Sequence, residues 1–208
     1  MTVEGAERPK RRRAETVERL LDAALETFAE IGFAAASVED ICRRGGFTRG
    51  AFYSSFRTKD ELFGALFARE TARNVELAEA QLTGIELEAD PVTVGLERCL
   101  GALRADRTWV LVLTEYRLHA ARHPEAAAAL DEHLVALNDR LTALIETVAA
   151  RAGLTLTVPA AQLAGAIVAV HDGAVLSQVL QTETATTDTP SIDVERTALL
   201  LLLRAAIA

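Results

Sequence analysis

Cysteine, proline and aromatic residues are all scarce in this 208-residue chain, and each scarcity excludes something. The two cysteines, Cys42 and Cys99, fall inside helical apolar patterns. They read as reduced core residues of a cytoplasmic protein, and neither a disulfide framework nor a metal site is expected from them. Five prolines among long stretches of Ala, Leu, Glu and Arg point to an all-helical protein. Aromatic residues make up only 5% of a chain that is 50% apolar, so the core must be mostly Leu, Ala, Val and Ile. That apolar share supports a sizeable core and excludes a disordered chain. No apolar run follows the basic residues near the N-terminus, so no signal peptide is expected. The most apolar stretch, Thr197 to Ala208, is too short to cross a bilayer, and no membrane partner is expected. Catalytic signatures are missing as well: there is no nucleophile elbow, metal-spaced His/Cys set or phosphate loop. His171, Asp172, Glu115 and Ser177 make a triad only on paper, because adjacent residues on a helix point about 100° apart. The chain reads as a non-enzyme with no metal and no cofactor.

Positive charge is also in short supply. A net charge of −8 argues at first against a nucleic-acid partner. Its distribution answers part of that: residues 1–60 hold 11 Lys/Arg against 10 Asp/Glu, and residues 61–208 hold 11 against 20. A near-neutral head on an acidic body suits a protein that touches phosphate at one end only. Residues 1–13 end in Lys10-Arg11-Arg12-Arg13 and read as a mobile basic arm, with Arg12 and Arg13 as phosphate contacts.

What the chain does have is a compact pattern from Ser37 to Glu61, SVEDICRRGGFTRGAFYSSFRTKDE. Ser37 is a good N-cap with Asp40 three residues on, a variant of the capping box. Val38, Ile41 and Cys42 then form an apolar edge at helical spacing. Gly45-Gly46 stops that helix, because glycine takes the left-handed conformation at little steric cost. Thr48 caps a second short helix, RGAFYSSF, which needs its neighbours to hold it. Thr58-Lys59-Asp60-Glu61 is a capping box that opens a longer helix. Two short helices around a glycine turn make a helix-turn-helix, whose second helix enters the DNA major groove.

Around this motif the periodicity predicts a first helix over about 14–31, ended by Gly32, and a fourth from Thr58 to about Leu82. The segment 83–89 reads as a loop. Asp90-Pro91 opens a fifth helix and Asp106 caps a sixth, which ends before Pro124. The seventh runs to about Ala152 and stops at Gly153, and Pro159 opens the eighth. A Thr-rich loop over 182–190 leads to Ser191, the cap of a ninth helix that ends in LLLLLRAAIA. A helix apolar almost all round must be buried on several sides, and a second subunit is the simplest cover. The expected fold is therefore all-α, with about nine helices: arm 1–13, helix-turn-helix head 14–60 and helical body 61–208.

The head, SVEDICRRGGFTRGAFYSSFRTKDELFGALF preceded by a helix ending at Gly32-Phe33, closely resembles the DNA-binding domain of TetR-family transcriptional regulators. The family pattern is met by Ser37, Val38, Asp40, Ile41, Gly46, Thr48, Gly50, Phe52, Tyr53, Phe56, Lys59 and Leu62. Cys42 replaces a usual alanine, Gly45 doubles the glycine turn, and Ser55 stands where His or Tyr is common. The resemblance implies a ligand-responsive repressor that binds a palindromic stretch of double-stranded operator DNA as a homodimer. The DNA-binding residues it implies are Arg12, Arg13, Ser37, Val38, Thr48, Arg49, Gly50, Tyr53, Ser54 and Lys59. Among them Arg49 would take guanine O6 and N7 bidentately, Ser37 or its neighbours would offer a backbone N–H to phosphate, and Tyr53 and Lys59 would reach flanking phosphates. The body is implied to hold a small, hydrophobic effector, with Trp109, Leu113, Tyr116, His119, His133, Leu137 and Asp172 as candidate lining. The last two helices are implied to form the dimer through Leu163, Ile167, Val175, Leu199, Leu202 and Leu203. Two competing readings are an activator and a protein-interaction module that never releases an operator in response to ligand.

Overall fold

The computed structural model of the chain describes residues 4–102, 106–181 and 194–208, with side chains from Arg13 onward. Among them are nine α-helices and no strand: α1 (Glu4–Ile31), α2 (Val38–Gly45), α3 (Arg49–Tyr53), α4 (Lys59–Gln81), α5 (Pro91–Ala102), α6 (Arg107–Ala120), α7 (Pro124–Ala152), α8 (Ala160–Gln181) and α9 (Val194–Ala205). The all-α fold is as expected, and most helix ends follow local chemistry. Asp90 Oδ1 accepts the Thr93 N–H at 3.2 Å and Asp106 Oδ1 accepts the Thr108 N–H at 2.9 Å, satisfying first-turn donors that no carbonyl can reach.

Three expectations need correction. α1 begins at Glu4, so the basic cluster Lys10–Arg13 belongs to the first helix and is not a separate arm. Its Glu, Ala, Arg and Lys residues are strong helix formers, and they extend the helix toward the N-terminus. Residues 85–87 form a 3-10 turn inside the expected loop, which buries Ile85 completely. α9 stops at Ala205 instead of running to the end. The Thr157 N–H donates to the Ala206 carbonyl at 2.8 Å and the Ala208 N–H to the Thr155 carbonyl at 2.9 Å, around an antiparallel bridge between Leu156 and Ile207. The Thr-rich loop over 182–190 and the Ser191 cap lie outside the described residues.

The chain divides into two compact units, residues 1–69 with 111–131 and residues 70–110 with 132–208. A boundary at residue 60 therefore misses the segment 111–131, which packs with the head. The packing explains why. All seven phenylalanines lie between Phe28 and Phe67, so the few large rings of the chain are concentrated in this unit. Phe33 sits among Phe28, Phe63 and Tyr116, with ring centroids at 5.0, 5.9 and 4.8 Å. Tyr116 of α6 stacks on Phe63 of α4 at 3.5 Å and 10°. Such pairs add about 0.5–1.5 kcal/mol each beyond area burial.

In the second unit α9 packs on α8 and α5. Buried between helices is an acid, Glu195, only 7% exposed. His171 Nδ1 lies 2.6 Å from its Oε1, and Gln178 Nε2 donates to its Oε2 at 3.2 Å. The hydrogen bond to Glu195 raises the His171 pKa above its ordinary 6.5, against burial, and the neighbouring Asp172 adds to the rise. The folded state thus favours the protonated histidine. Its stabilisation is complete below about pH 6.5 and is lost as pH rises through the raised folded-state value. We expect the urea midpoint to fall between about pH 6 and about pH 8 in the wild type, and to fall less in His171→Gln, whose amide does not titrate. Parallel pH profiles for the two proteins would remove the pair as the cause.

α8 is apolar along its length, yet its own chain covers little of it. Its span Ala160–Leu180 has a mean hydropathy of 1.6 and is long and apolar enough to cross a membrane by length and composition, which the sequence reading missed, yet only 22% of it is buried. Its exposed residues include Ala161, Gly165, Ala169, Gly173 and Ser177, one face of small side chains at every fourth position.

Candidate nucleic-acid interface

The helix-turn-helix is set by its caps. Ser37 is extended at φ −101° and its Oγ accepts the Asp40 N–H at 3.1 Å, while Asp40 Oδ2 accepts the Ser37 N–H at 3.0 Å. The Ser37 hydroxyl, which donates to Asp40 Oδ2 at 2.5 Å, and the Ser37 N–H hold the Asp40 carboxyl below its usual range, with Arg43 adding to the effect. The capping box is complete, and it changes what Ser37 can offer. Its N–H is already used within the chain, so it is not a free phosphate donor. α2 ends at Gly46, φ +71°, where the Phe47 N–H returns to the Cys42 carbonyl at 2.8 Å and the Gly46 N–H to Arg43. Gly45 is needed for a different reason: a Cβ there would lie 2.7 Å from the Phe47 ring and 3.2 Å from Ala23. Thr48 Oγ1 then accepts the Ala51 N–H at 3.2 Å and starts α3.

Packing decides which face of α3 is left for a ligand. Phe52 is fully buried and Phe56 nearly so, anchoring the helix from below. Thr48, Arg49, Gly50, Tyr53 and Ser54 are exposed together on the other side. Tyr53 is 49% exposed. A Cβ on Gly50 would meet only Thr48 Oγ1, at 3.7 Å, so nothing within the chain demands glycine there. Arg13 Nη2 donates to the Ser54 carbonyl at 3.3 Å and brings the basic segment of α1 to the end of α3. The Arg12 side chain lies outside the described residues, and Val38 is half-buried.

Lys59 departs most from expectation. Its Nζ donates to the Phe33 carbonyl at 2.5 Å and the Ala36 carbonyl at 2.8 Å, over the Phe33 ring at 4.4 Å. Burial lowers its pKa. Two of its three N–H donors are spent on the turn between α1 and α2, so its first duty is structural and not a free contact to phosphate. Glu115, which sequence reasoning considered only for a triad, does a matching job. Its Oε2 accepts the Phe33 N–H at 2.7 Å and would lie 2.8 Å from a Cβ on Gly32, whose φ is +83°. No local pattern signals this contact, because the partners are 82 residues apart. Glu61 caps one residue further back than expected, accepting the Arg57 N–H at 2.8 Å.

The candidate effector lining is also redistributed. Tyr116 is 1% exposed, and its hydroxyl donates to Asp60 Oδ1 at 3.2 Å. His119 Nε2 is 3.3 Å from the same oxygen, and Leu113 is buried in the same unit. These three residues belong to the packing of the head and not to a pocket in the body, a correction that follows from the aromatic cluster. Trp109, His133, Leu137 and Asp172 are half-buried in the second unit. That unit has a groove of 390 Å³ lined by Glu79 of α4, Leu82 just past its end, and residues of α7, among them Leu144, Val148, Arg140 and Arg151. None of the candidates lines it. Among the expected interface residues, Leu163, Val175 and Leu199 are buried within the subunit and so unavailable to a partner, while Ile167, Leu202 and Leu203 are half-buried. The largest exposed apolar side chains of α8 and α9 are instead Leu180, Val194 and Leu201. The residues of the paper triad have separate partners: Glu115 bonds Phe33, Ser177 Oγ donates to the Gly173 carbonyl, and His171 bonds Glu195.

Comparison with known proteins agrees with this geometry. Residues 20–66 match the family model described as bacterial regulatory proteins, tetR family. The HTH-type transcriptional regulator AcrR of Shigella flexneri is 31% identical over 109 residues, 50% of this chain and 47% of that protein. The HTH-type transcriptional regulator SrpR of Pseudomonas putida is 38% identical over 82 residues, 39% of this chain and 38% of that protein. The chain thus spans about half, or less, of the length of these two curated relatives. Two solved structures share the fold along most of the chain. A TetR transcription regulator from Haloarcula marismortui has a TM-score of 0.67 at 19% identity, covering 94% of this chain and 100% of that one. The fatty acid degradation regulator FadR from Bacillus halodurans has a TM-score of 0.67 at 20% identity, covering 90% and 94%. The head of the chain, with its capped helix-turn-helix, thus carries the domain described as bacterial regulatory proteins, tetR family, and the chain shares the all-α fold of these solved regulators.

Proposed function

We propose that this protein is a dimeric, ligand-responsive repressor that binds a palindromic operator through α3. The observation that carries the reading is the exposed face Thr48-Arg49-Gly50-Tyr53-Ser54, presented by a helix whose opposite face is locked by Phe52 and Phe56. Arg49 reads a guanine, Gly50 lets the backbone come close, and Thr48, Tyr53, Ser54 and the segment Arg12–Arg13 face phosphate. The second subunit docks on the exposed stripe of α8 together with α9, since a two-fold axis lets one self-complementary face cover itself. The second unit, residues 70–110 and 132–208, holds the effector, with Trp109, His133, Leu137 and Asp172 as the remaining candidates. The apolar part of the groove, Leu82, Leu144 and Val148, suits a small hydrophobic molecule. An effector releases DNA only by its differential affinity for two spacings of the heads.

Footprinting the purified protein on the DNA upstream of its own coding sequence tests this. The expected result is a protected palindrome whose half-sites lie about one helical turn apart, with affinity that falls steeply as salt rises. Arg49→Ala is expected to cost about 1–3 kcal/mol per half-site and to relax base preference there. A protein that protects nothing at low salt is an interaction module, not an operator binder.

A further inference from the structure

The reading arginine does not stand alone on its helix. Arg49 Nη1 lies 2.7 Å from Glu39 Oε1, an acid in the first turn of the other helix of the motif. The guanidinium carbon lies over the Tyr53 ring, 5.8 Å from its centre. Glu39 and Arg49 are 51% and 62% exposed, so water and salt screen the pair and it contributes little to folding. What the pair does instead is geometric. It ties a long side chain with many rotamers to α2 at one corner and to Tyr53 over its face, leaving the rest of the fork outward. The head's other acid–base pairs do different work. Asp40 is committed to the cap and to Arg43, Arg44 is paired with Glu26 and Glu30, and Arg69 with Glu18 and Asp22. Glu39 is the acid whose partner lies on the exposed face of α3.

We propose that Glu39 is a specificity-determining positioning residue, which holds Arg49 in its base-reading orientation and keeps it from settling on phosphate. The inference rests on the operator-binding reading above. A carboxylate at this place acts in two ways. It fixes the angle at which the guanidinium fork meets a base edge, which a bidentate contact requires. It also cancels the charge of Arg49 in the free protein and repels backbone phosphate, which lowers binding to every sequence alike. Specific binding gains from the first effect, and non-specific binding loses from the second.

Selection from a random-sequence duplex pool, followed by titration of the selected duplex and of one unselected duplex, tests the assignment. The proteins are the wild type, Glu39→Gln, Glu39→Asp, Arg49→Ala and the double variant of Glu39→Gln with Arg49→Ala. Glu39→Gln is expected to tighten binding to the unselected duplex and to shrink the ratio of selected to unselected affinity about tenfold. It should relax preference at the same base position as Arg49→Ala. In the Arg49→Ala background, Glu39→Gln should change base preference no further, because the acid acts through the arginine. Glu39→Asp should restore part of the ratio. A Glu39→Gln protein that selects the same bases with the same ratio as the wild type overturns the role of Glu39 and leaves operator binding standing. A wild type that enriches no sequence overturns the operator reading itself.

Discussion

Tyr116→Ala is expected to lower the unfolding free energy by about 3–5 kcal/mol, the range for deleting a large buried ring. Tyr116 is 1% exposed, lies flat on Phe63 and meets Phe33 edge-on. Removing the ring opens a cavity between α4 and α6 that neighbours held by Phe28, Phe67 and the helix backbones fill only in part. The hydroxyl separates a second, smaller effect. Burial lifts the phenol pKa well above the usual value, and the charge of Asp60 and the hydrogen bond to it add to the rise, so the group stays neutral throughout the working range. Tyr116→Phe should therefore cost only about 1 kcal/mol, with no new pH dependence near neutrality. Urea unfolding of both variants measures the split. Had Tyr116 lined an effector pocket, Tyr116→Ala would leave stability almost unchanged and alter only the response to ligand. A loss below about 1 kcal/mol would favour that reading over the core.

The contrast shows where the sequence is legible. Caps and glycine stops are local, so Ser37 with Asp40, Gly46, Asp90 and Gly153 mark helix ends through residues only a few positions apart. The exposed face of α3 is equally readable, because Phe52 and Phe56 recur at helical spacing and must point away from it. Partnerships across long stretches of sequence are not. Lys59 reads as a surface cation, yet its ammonium closes the turn after α1, 23 and 26 residues away. Tyr116 and His119 look like polar marks in an apolar helix, and only the fold shows that Asp60 and Phe33 are their partners. The same limit applies to α8 and α9. Their composition announces that they need cover, but not which apolar residues the subunit covers for itself. Leu163, Val175 and Leu199 are claimed internally, and the small residues of α8 that look like weak core are the ones left outside.

That last point sets the second large effect. A Cβ built on Gly173 meets nothing within 4 Å in the subunit, so a side chain there has room. Gly173→Leu should leave the fold intact and even stabilise the helix by about 0.5–1 kcal/mol, since glycine is a poor helix former. Across the proposed two-fold seam the outcome reverses. Ala169, Gly173 and Ser177 share one face of α8, and small side chains let two helices approach closely there. A leucine forces the backbones apart, and symmetry applies the clash to both subunits, at about 1–3 kcal/mol for each overpacked site. The variant should elute as a folded monomer at concentrations where the wild type is a dimer. Operator affinity should then fall by about 10²- to 10⁴-fold, the advantage gained from linking two half-site contacts. Light scattering and an operator titration on the same preparation read both effects. A Gly173→Leu protein that stays dimeric with wild-type affinity removes the α8 stripe from the interface. A monomer that keeps wild-type affinity would instead show that one head suffices, and that the exposed face of α8 serves something other than DNA binding.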